Sequence, residues 1–438
     1  MSGIAQLMLK SGYRVSGSDL KENRITQQLE GQGAEIFLGH QAQNVSLQDA
    51  VVYSSAVAAD NCELLKAQSL GIPVIKRAQA LAEMMQDKTV ITVAGSHGKT
   101  TTTSLISFML LEAGLCPTAV IGGILNNIDT NACLGSGKLF VAEADESDGS
   151  FLSYAPKYSI ITNIDREHLD YYHNFDNELD AFKLFVQRTE AGGCVFACSD
   201  DAHLVQLLSD FQGRKMFFGL GELAQVQAKN IVLGQLVSDF DCYLKDKLVG
   251  RFHLALGGRH NISNALAVIG LGLELGIDLK YIHKCLQDYR GAGRRLEVKF
   301  RNDKYLVIDD YAHHPSEIKA TLAAVSNLEV KRKIVIFQPH RFSRTQLLQE
   351  EFASAFAQAD YLIITDIYAA SEQPIAGVNA QGLLSKIKEY DARKEALYLP
   401  KEKILAHILG MLRVGDLVMT LGAGDIVRES DALAQALK

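Results

Sequence analysis

The chain has no C-x-x-C pair and no histidine at zinc-ligand spacing, and its seven cysteines (Cys62, Cys116, Cys133, Cys194, Cys198, Cys242, Cys285) are scattered and odd in number. That pattern argues against a zinc module or a disulfide framework and reads as reduced thiols, mostly core filler. No uninterrupted apolar run reaches the roughly 18 residues needed to span a bilayer. The opening stretch Met1–Arg14 places Ile4, Leu7 and Met8 at helical intervals, but it carries Lys10 and no small-residue cleavage site, so a signal peptide is not expected. The expectation is a soluble protein of a reducing compartment, the cytoplasm. A basic excess is also missing: 44 Lys+Arg against 51 Asp+Glu gives −7, so no general field holds a polyanion, and neither nucleic acid nor membrane is an expected partner. Proline is scarce, 7 against 35 Gly, and with 47% hydrophobic and 22% charged residues the composition excludes collagen-like, coiled-coil and largely disordered chains.

What is present is an alternation of short Val/Ile-rich runs with longer segments of helical period, the signature of parallel strands with crossover helices, hence an α/β fold. The 438 residues suggest about three domains at roughly 150 residues each. Candidate strands are Val51–Ser54, Thr89–Ala94, Lys138–Glu143, Ser159–Ile164, Gly193–Cys198, Leu306–Tyr311, Lys333–Gln338, Tyr361–Asp366 and Asp416–Leu421. The helical stretch Arg77–Met85 before a strong new strand sets one boundary, and the glycine- and arginine-rich Tyr289–Arg295 sets a second, giving domains 1–86, 87–291 and 292–438. Between Phe217 and His260 the pattern alternates (Asn230–Gln235, Asp241–Leu244, Leu248–Leu256), which predicts an antiparallel flap on the middle domain.

Thr89–Ala94 runs into Gly95-Ser96-His97-Gly98-Lys99-Thr100-Thr101 and then a helix: a buried strand, a glycine turn, a lysine and hydroxyls. This is the pattern of a phosphate-binding loop. Glycines let backbone N–H groups face a phosphate at a helix N-terminus, Lys99 adds a point charge, and Thr100 offers its hydroxyl to Mg²⁺. The match is the short form G-x-x-G-K-T, with Val93 where the common pattern has glycine, so its force comes from the flanking strand and helix. A triphosphate needs a divalent metal and therefore carboxylates at nearby strand ends. Glu143-Ala144-Asp145-Glu146-Ser147-Asp148 supplies one acidic cluster, with a solvated loop as the alternative. Asp165-Arg166-Glu167-His168-Leu169-Asp170-Tyr171-Tyr172 supplies a histidine among three carboxylates; alone, His168 reads as a surface-loop histidine. In Gly257-Gly258-Arg259-His260-Asn261-Ile262-Ser263-Asn264, two amides three apart share a helix face, suited to a base edge or simply to a helix cap. Asp309-Asp310-Tyr311-Ala312-His313-His314-Pro315 and Phe337-Gln338-Pro339-His340-Arg341-Phe342-Ser343-Arg344-Thr345 each crowd charged and aromatic residues after a strand, as where phosphate or carboxylate is bound.

With these segments in this order, the sequence resembles the Mur ligase family of peptidoglycan synthesis, and the likeness runs over essentially the whole chain. It implies an N-terminal Rossmann-like domain for a UDP-sugar, a central P-loop ATPase-type domain and a C-terminal Rossmann-like domain for an amino acid. The implied activity is ATP-dependent ligation of L-alanine to the lactyl carboxylate of UDP-N-acetylmuramate through an acyl phosphate. By this resemblance Gly95, Ser96, His97, Gly98, Lys99, Thr100 and Thr101 cradle the ATP phosphates, and Thr100, Glu143 and His168 are magnesium ligands. His260, Asn261 and Asn264 sit near adenine, Arg295, Asp310 and Tyr311 approach the nucleotide, and His313, His314 and Arg341 border the reaction centre with Lys99. Relatives begin with a strand and a glycine loop before the equivalent of Met1-Ser2-Gly3, so an upstream strand and loop are expected, and Ser2, Gly3, Asp19, Ser54 and Ser55 are what the sequence offers to the UDP-sugar. The alternatives are a muropeptide recycling ligase of the same family and a non-ligase nucleotide-binding protein. Against the latter stand the absence of an N-K-x-D-like motif and the His- and Arg-rich third domain.

Overall fold

The computed structural model describes residues 1–54 and 57–438, and the chain folds as two compact units. The first comprises Met1–Gln227, Tyr243–Leu248 and Ser263–Leu286, and the second Ala228–Cys242, Val249–Ile262 and Gln287–Lys438. The first unit is organised by a sheet in the order Lys215–Gly219, Cys194–Cys198, Tyr158–Ile161, Thr89–Ala94, Leu139–Glu143, Thr118–Leu125, Thr130–Cys133. All neighbours pair in parallel except the last two. Its central strand, Thr89–Ala94, is buried from Val90 onward, as a Val/Ile-rich strand with both faces covered must be. Register fixes where chemistry can happen. Val93 lies opposite Glu143 and Ala94 opposite Ile161, so the segments after three adjacent strands emerge together at the carboxyl edge of the sheet, where open α/β sheets bind ligands. Between Phe217 and His260 three strands form, Val226–Leu233, Ser238–Leu244 and Lys247–Leu254, with bounds a few residues from the expected ones, and most of their residues fall in the second unit rather than with the middle domain as expected.

The N-terminal part holds two separate parallel pairs, Ser16–Asp19 with Glu35–Leu38 and Val51–Tyr53 with Val74–Lys76. In the second unit a six-stranded sheet runs Glu297–Arg301, Tyr305–Asp310, Asp416–Leu421, Arg332–Phe337, Tyr361–Ile364, Ala396–Tyr398, parallel but for its first strand. Each of its faces carries its own apolar cluster: Ile308, Val335, Phe337 and Met419 point to one, Val307, Ile334, Ile336 and Val418 to the other. Strand alternation with helices on both faces is the doubly wound arrangement. Of the seven free thiols, four are buried and Cys62 and Cys116 are exposed. No helix among the described residues is long and apolar enough to cross a membrane.

Candidate functional site

The loop Gly95–Gly98 is fastened to the segment following the neighbouring strand. Ser96 N–H donates to the Asn163 carbonyl (3.1 Å) and His97 N–H to Asn163 Oδ1 (2.9 Å), while Asp165 N–H donates to Ser96 Oγ (2.7 Å). His97 Nε2 lies 3.0 Å from Asp165 Oδ2. Glycine is demanded twice. Gly95 has φ +121° and a Cβ there would stand 2.8 Å from the Asn163 carbonyl; Gly98 has φ +83° and a Cβ would stand 2.6 Å from Asn264 Oδ1. Asn264 therefore lies against the loop. Helix Lys99–Glu112 starts directly after Gly98, so its free N–H groups open toward the loop.

Lys99 Nζ is held by the carbonyls of Gly95 (2.6 Å) and Ser96 (3.2 Å) and by Glu146 Oε1 (2.6 Å). Burial opposes its charge, but Glu146 and Asp145 more than offset this and raise its pKa. Glu146 is wholly buried, and its backbone carbonyl accepts the Tyr172 hydroxyl (2.5 Å). His168 Nε2 sits 3.6 Å from Glu146 Oε1 and 3.5 Å from Glu167 Oε2. Burial works against a charged ring there, yet the two carboxylates push His168 up to about 9. Its backbone is left-handed (φ +55°) where it caps the short helix Leu169–Tyr172, an uncommon conformation outside glycine that aims the ring inward. Ligand atoms of Glu146, Glu167 and His168 all lie within 4.8 Å of one another. Hard oxygens with one imidazole, and a buried Glu146 Oε2 with no hydrogen-bond partner, fit a divalent cation. Glu143 accepts the Gly122 N–H (3.0 Å) at the end of the adjacent strand, and Thr100 is buried in the first helical turn. Glu146 and Glu167 were legible only as members of acid-rich segments; that they are the carboxylates on Lys99 and His168 is tertiary information.

In the second unit, Arg294 and Arg295 both stack on Tyr311, their guanidinium carbons 5.2 and 5.1 Å from the ring centre. The two arginines then divide. Arg294 reaches the buried Asp309 (2.9 Å) and the carbonyls of Gly422 (2.6 Å) and Gly424 (2.9 Å), whereas Arg295 lies 3.7 Å from Glu317. Asp310 accepts N–H groups from Leu296 (2.7 Å) and Ala312 (2.8 Å); burial outweighs these bonds and the Arg295 charge and pushes it up to about 6. His313 packs edge-on to both Tyr311 and His340, and His340 stacks parallel to Tyr368 at 5.6 Å. Burial and the neighbouring His313, Arg344 and Arg341 push His340 down to about 3. Arg341 carries φ +70°, and its N–H is pinned by the Tyr368 carbonyl (2.8 Å). His314 accepts the Ser316 N–H and caps helix Pro315–Ala324. Asn261 Nδ2 donates to the Gly257 carbonyl (2.8 Å), and His260 lies beside Gly258. Tyr368 and Glu372, which accepts from Ser343, join the cluster without any signal in the sequence.

The residues expected at the UDP-sugar fall in different elements. Ser2 and Gly3 begin helix Ser2–Lys10, where Ser2 Oγ accepts from Asn131 and Gly3 meets Val120. Asp19 ends its strand exposed, Ser54 follows Val51–Tyr53, and Ser55 lies outside the described residues.

Three family models match the chain: the Mur ligase family catalytic domain over residues 1–89, the Mur ligase middle domain over 93–272, and the Mur ligase glutamate ligase domain over 294–424. Among curated proteins, the UDP-N-acetylmuramate--L-alanine ligase of Geotalea uraniireducens is 44% identical over 438 residues, covering all of this chain and 96% of that one. The ligase of the same name from Desulfatibacillum aliphaticivorans is 46% identical over 434 residues, 99% and 95% of the two chains. Among solved structures, UDP-N-acetylmuramate-alanine ligase from Thermotoga maritima superposes with a TM-score of 0.86 at 29% identity, covering all of this chain and 96% of that one. A murein peptide ligase from Psychrobacter arcticus shares the fold, with a TM-score of 0.74 at 23% identity.

Proposed function

The chain belongs to the Mur ligase family, and from that premise we infer that it joins L-alanine to the lactyl carboxylate of UDP-N-acetylmuramate at the expense of ATP, in the cytoplasm. The observation that carries this reading is likeness over the full length of ligases named for those two substrates. The lactyl carboxylate attacks the γ-phosphorus of ATP, ADP leaves, and the acyl phosphate loses inorganic phosphate when the alanine amine attacks its carbonyl carbon. Residues 1–86 receive the UDP-sugar through Ser2, Gly3, Asp19, Ser54 and Ser55, residues 87–291 bind ATP, and residues 292–438 receive the amino acid.

Two anions must meet in the first step, so the protein's task is to neutralise and orient. The Gly95–Gly98 turn with Thr100 and Thr101 offers backbone and hydroxyl donors to the phosphates. Lys99, already held at the loop mouth, exchanges its Glu146 contact for phosphate oxygen. Asn264 fixes the loop from outside, and His260 and Asn261 serve the adenine. Thr100, Glu143 and His168, with Glu146 and Glu167, would hold Mg²⁺, which when bound screens the phosphate charge. Arg295, Asp310 and Tyr311 form the C-terminal domain's nucleotide contacts, and His313, His314 and Arg341 border the acceptor.

The test is coupled release of ADP and phosphate. Release should require both UDP-N-acetylmuramate and L-alanine, with Gly and L-Ser slower. Release that prefers an L-alanyl-γ-D-glutamyl-diaminopimelate tripeptide would instead identify a recycling ligase, and release indifferent to the UDP-sugar would overturn ligation altogether.

A further inference from the structure

Lys99 Nζ rests on two carbonyls, those of Gly95 (2.6 Å) and Ser96 (3.2 Å), and each belongs to a peptide unit whose N–H is held by one residue, Asn163. The Gly95–Ser96 unit donates its N–H to the Asn163 carbonyl (3.1 Å), and the Ser96–His97 unit donates its N–H to Asn163 Oδ1 (2.9 Å). A trans peptide is one rigid plane with C=O and N–H pointing opposite ways, so an acceptor that fixes the N–H also fixes the direction of the carbonyl behind it. Asn163 thus aims both carbonyls at Lys99 through two planes, and hydrogen bonds in such chains polarise one another. Its amide grips the third plane as well: Nδ2 donates to the His97 carbonyl (3.0 Å), which turns the Gly98 N–H away from Asn163. Thr162 Oγ1 donates to the same carbonyl (2.5 Å). The N–H groups of Ser96 and His97 are therefore taken up by Asn163, and the donors offered to a phosphate begin at Gly98 and the first turn of helix Lys99–Glu112.

We propose that Asn163 is a positioning residue for Lys99: by holding two successive peptide planes it sets the two carbonyls that steer the ammonium group, and with them the place of the lysine against the phosphate. This rests on the reading of Lys99 as the phosphate-binding lysine, so the experiment separates the two.

ADP release by the full chain is measured with UDP-N-acetylmuramate, L-alanine, ATP and Mg²⁺ in a double-mutant cycle of Asn163 and Lys99. Asn163→Ala removes the Oδ1 acceptor and the Nδ2 donor and leaves the backbone carbonyl; Asn163→Leu does the same at nearly unchanged volume, and both are checked for folding by circular dichroism and Tm. Either substitution should lower kcat by roughly 10–100-fold, since a misplacement of about 1 Å can cost about 10²-fold, and should leave the KM for L-alanine unchanged. In a Lys99→Ala background the same substitution should cost less than about threefold, because residues that act through one another are not additive. If Lys99→Ala turns over like the parent, the phosphate-lysine reading fails and takes the role of Asn163 with it. If Lys99→Ala is impaired and the Asn163 variants are not, the role of Asn163 fails and the reading of Lys99 stands. A loss of the same size in both backgrounds would mark Asn163 as a merely structural residue and overturn the proposal.

Discussion

Two histidine clusters, one at the loop of the first unit and one on the C-terminal sheet, drive the same side chain in opposite directions. His168 stands between Glu146 and Glu167 and is pushed up to about 9, whereas His340, half-buried among His313, Arg344 and Arg341, is pushed down to about 3. Around Lys99 and His168 the carboxylates of Glu146 and Glu167 stand nearest; around His340 the charges that act on it are those of His313, Arg344, Arg341 and Arg294, of which Arg294 is paired with Asp309 and Arg341 lies 4.0 Å from Glu372. The first environment suits a cation and the second an anion such as a carboxylate. A histidine letter in the sequence is neutral on this point, and its partners decide.

The most severe way to break the first cluster is Lys99→Ala. Turnover should fall by about 10²–10³-fold or more through loss of transition-state charge neutralisation. It should also lower the Tm, because the wholly buried Glu146 is then stranded. Adding Glu146→Gln should restore the Tm without restoring turnover; a double variant that regains activity would show that the lysine only balances Glu146. In the second cluster, Arg294→Met strands the buried Asp309 and should cost about 3–5 kcal/mol in chemical denaturation. A loss under 1 kcal/mol would place Arg294 on the ligand side with Arg295. Removing a proposed cation ligand is gentler: Glu143→Ala or His168→Ala should raise the Mg²⁺ needed for half-maximal ADP release by roughly tenfold or more. Superimposable magnesium titrations would sink those assignments.

The smallest effect sharpens the contrast in pH. A histidine whose folded pKa lies below its unfolded value contributes stability that is present above pH 6.5 or so and is lost as pH falls toward about 3. His340→Gln should therefore flatten the fall of unfolding free energy across that window by up to about one proton's slope, measured by urea denaturation at successive pH values. An unchanged slope would mean that His340 is not held neutral.

Where the chain spells structure in buried β-branched residues, the sequence is read to the residue: Thr89–Ala94 and Asp416–Leu421 are strands with the expected ends. Ser16–Asp19 reads S-G-S-D and was invisible as a strand, because its extended form is imposed by pairing with Glu35–Leu38 rather than by its own side chains. Thr118–Leu125 was hidden by its paired glycines, and Ala396–Tyr398 by being three residues at a sheet edge. The loop announced itself because close backbone approach at Gly95 and Gly98 restricts residue type, and the acid-rich segments because they crowd carboxylates at strand ends.

Helix Lys99–Glu112 is covered on every side, with each residue from Thr100 to Leu110 buried and the hydroxyls of Ser104 and Ser107 turned back onto the carbonyls of Thr101 and Thr103. A helix so enclosed has no exposed face along which to slide or fray. Its backbone amides belong with those that exchange hydrogen with water only when the whole unit opens. That helix is thus a stator, a fixed axis for the loop that precedes it.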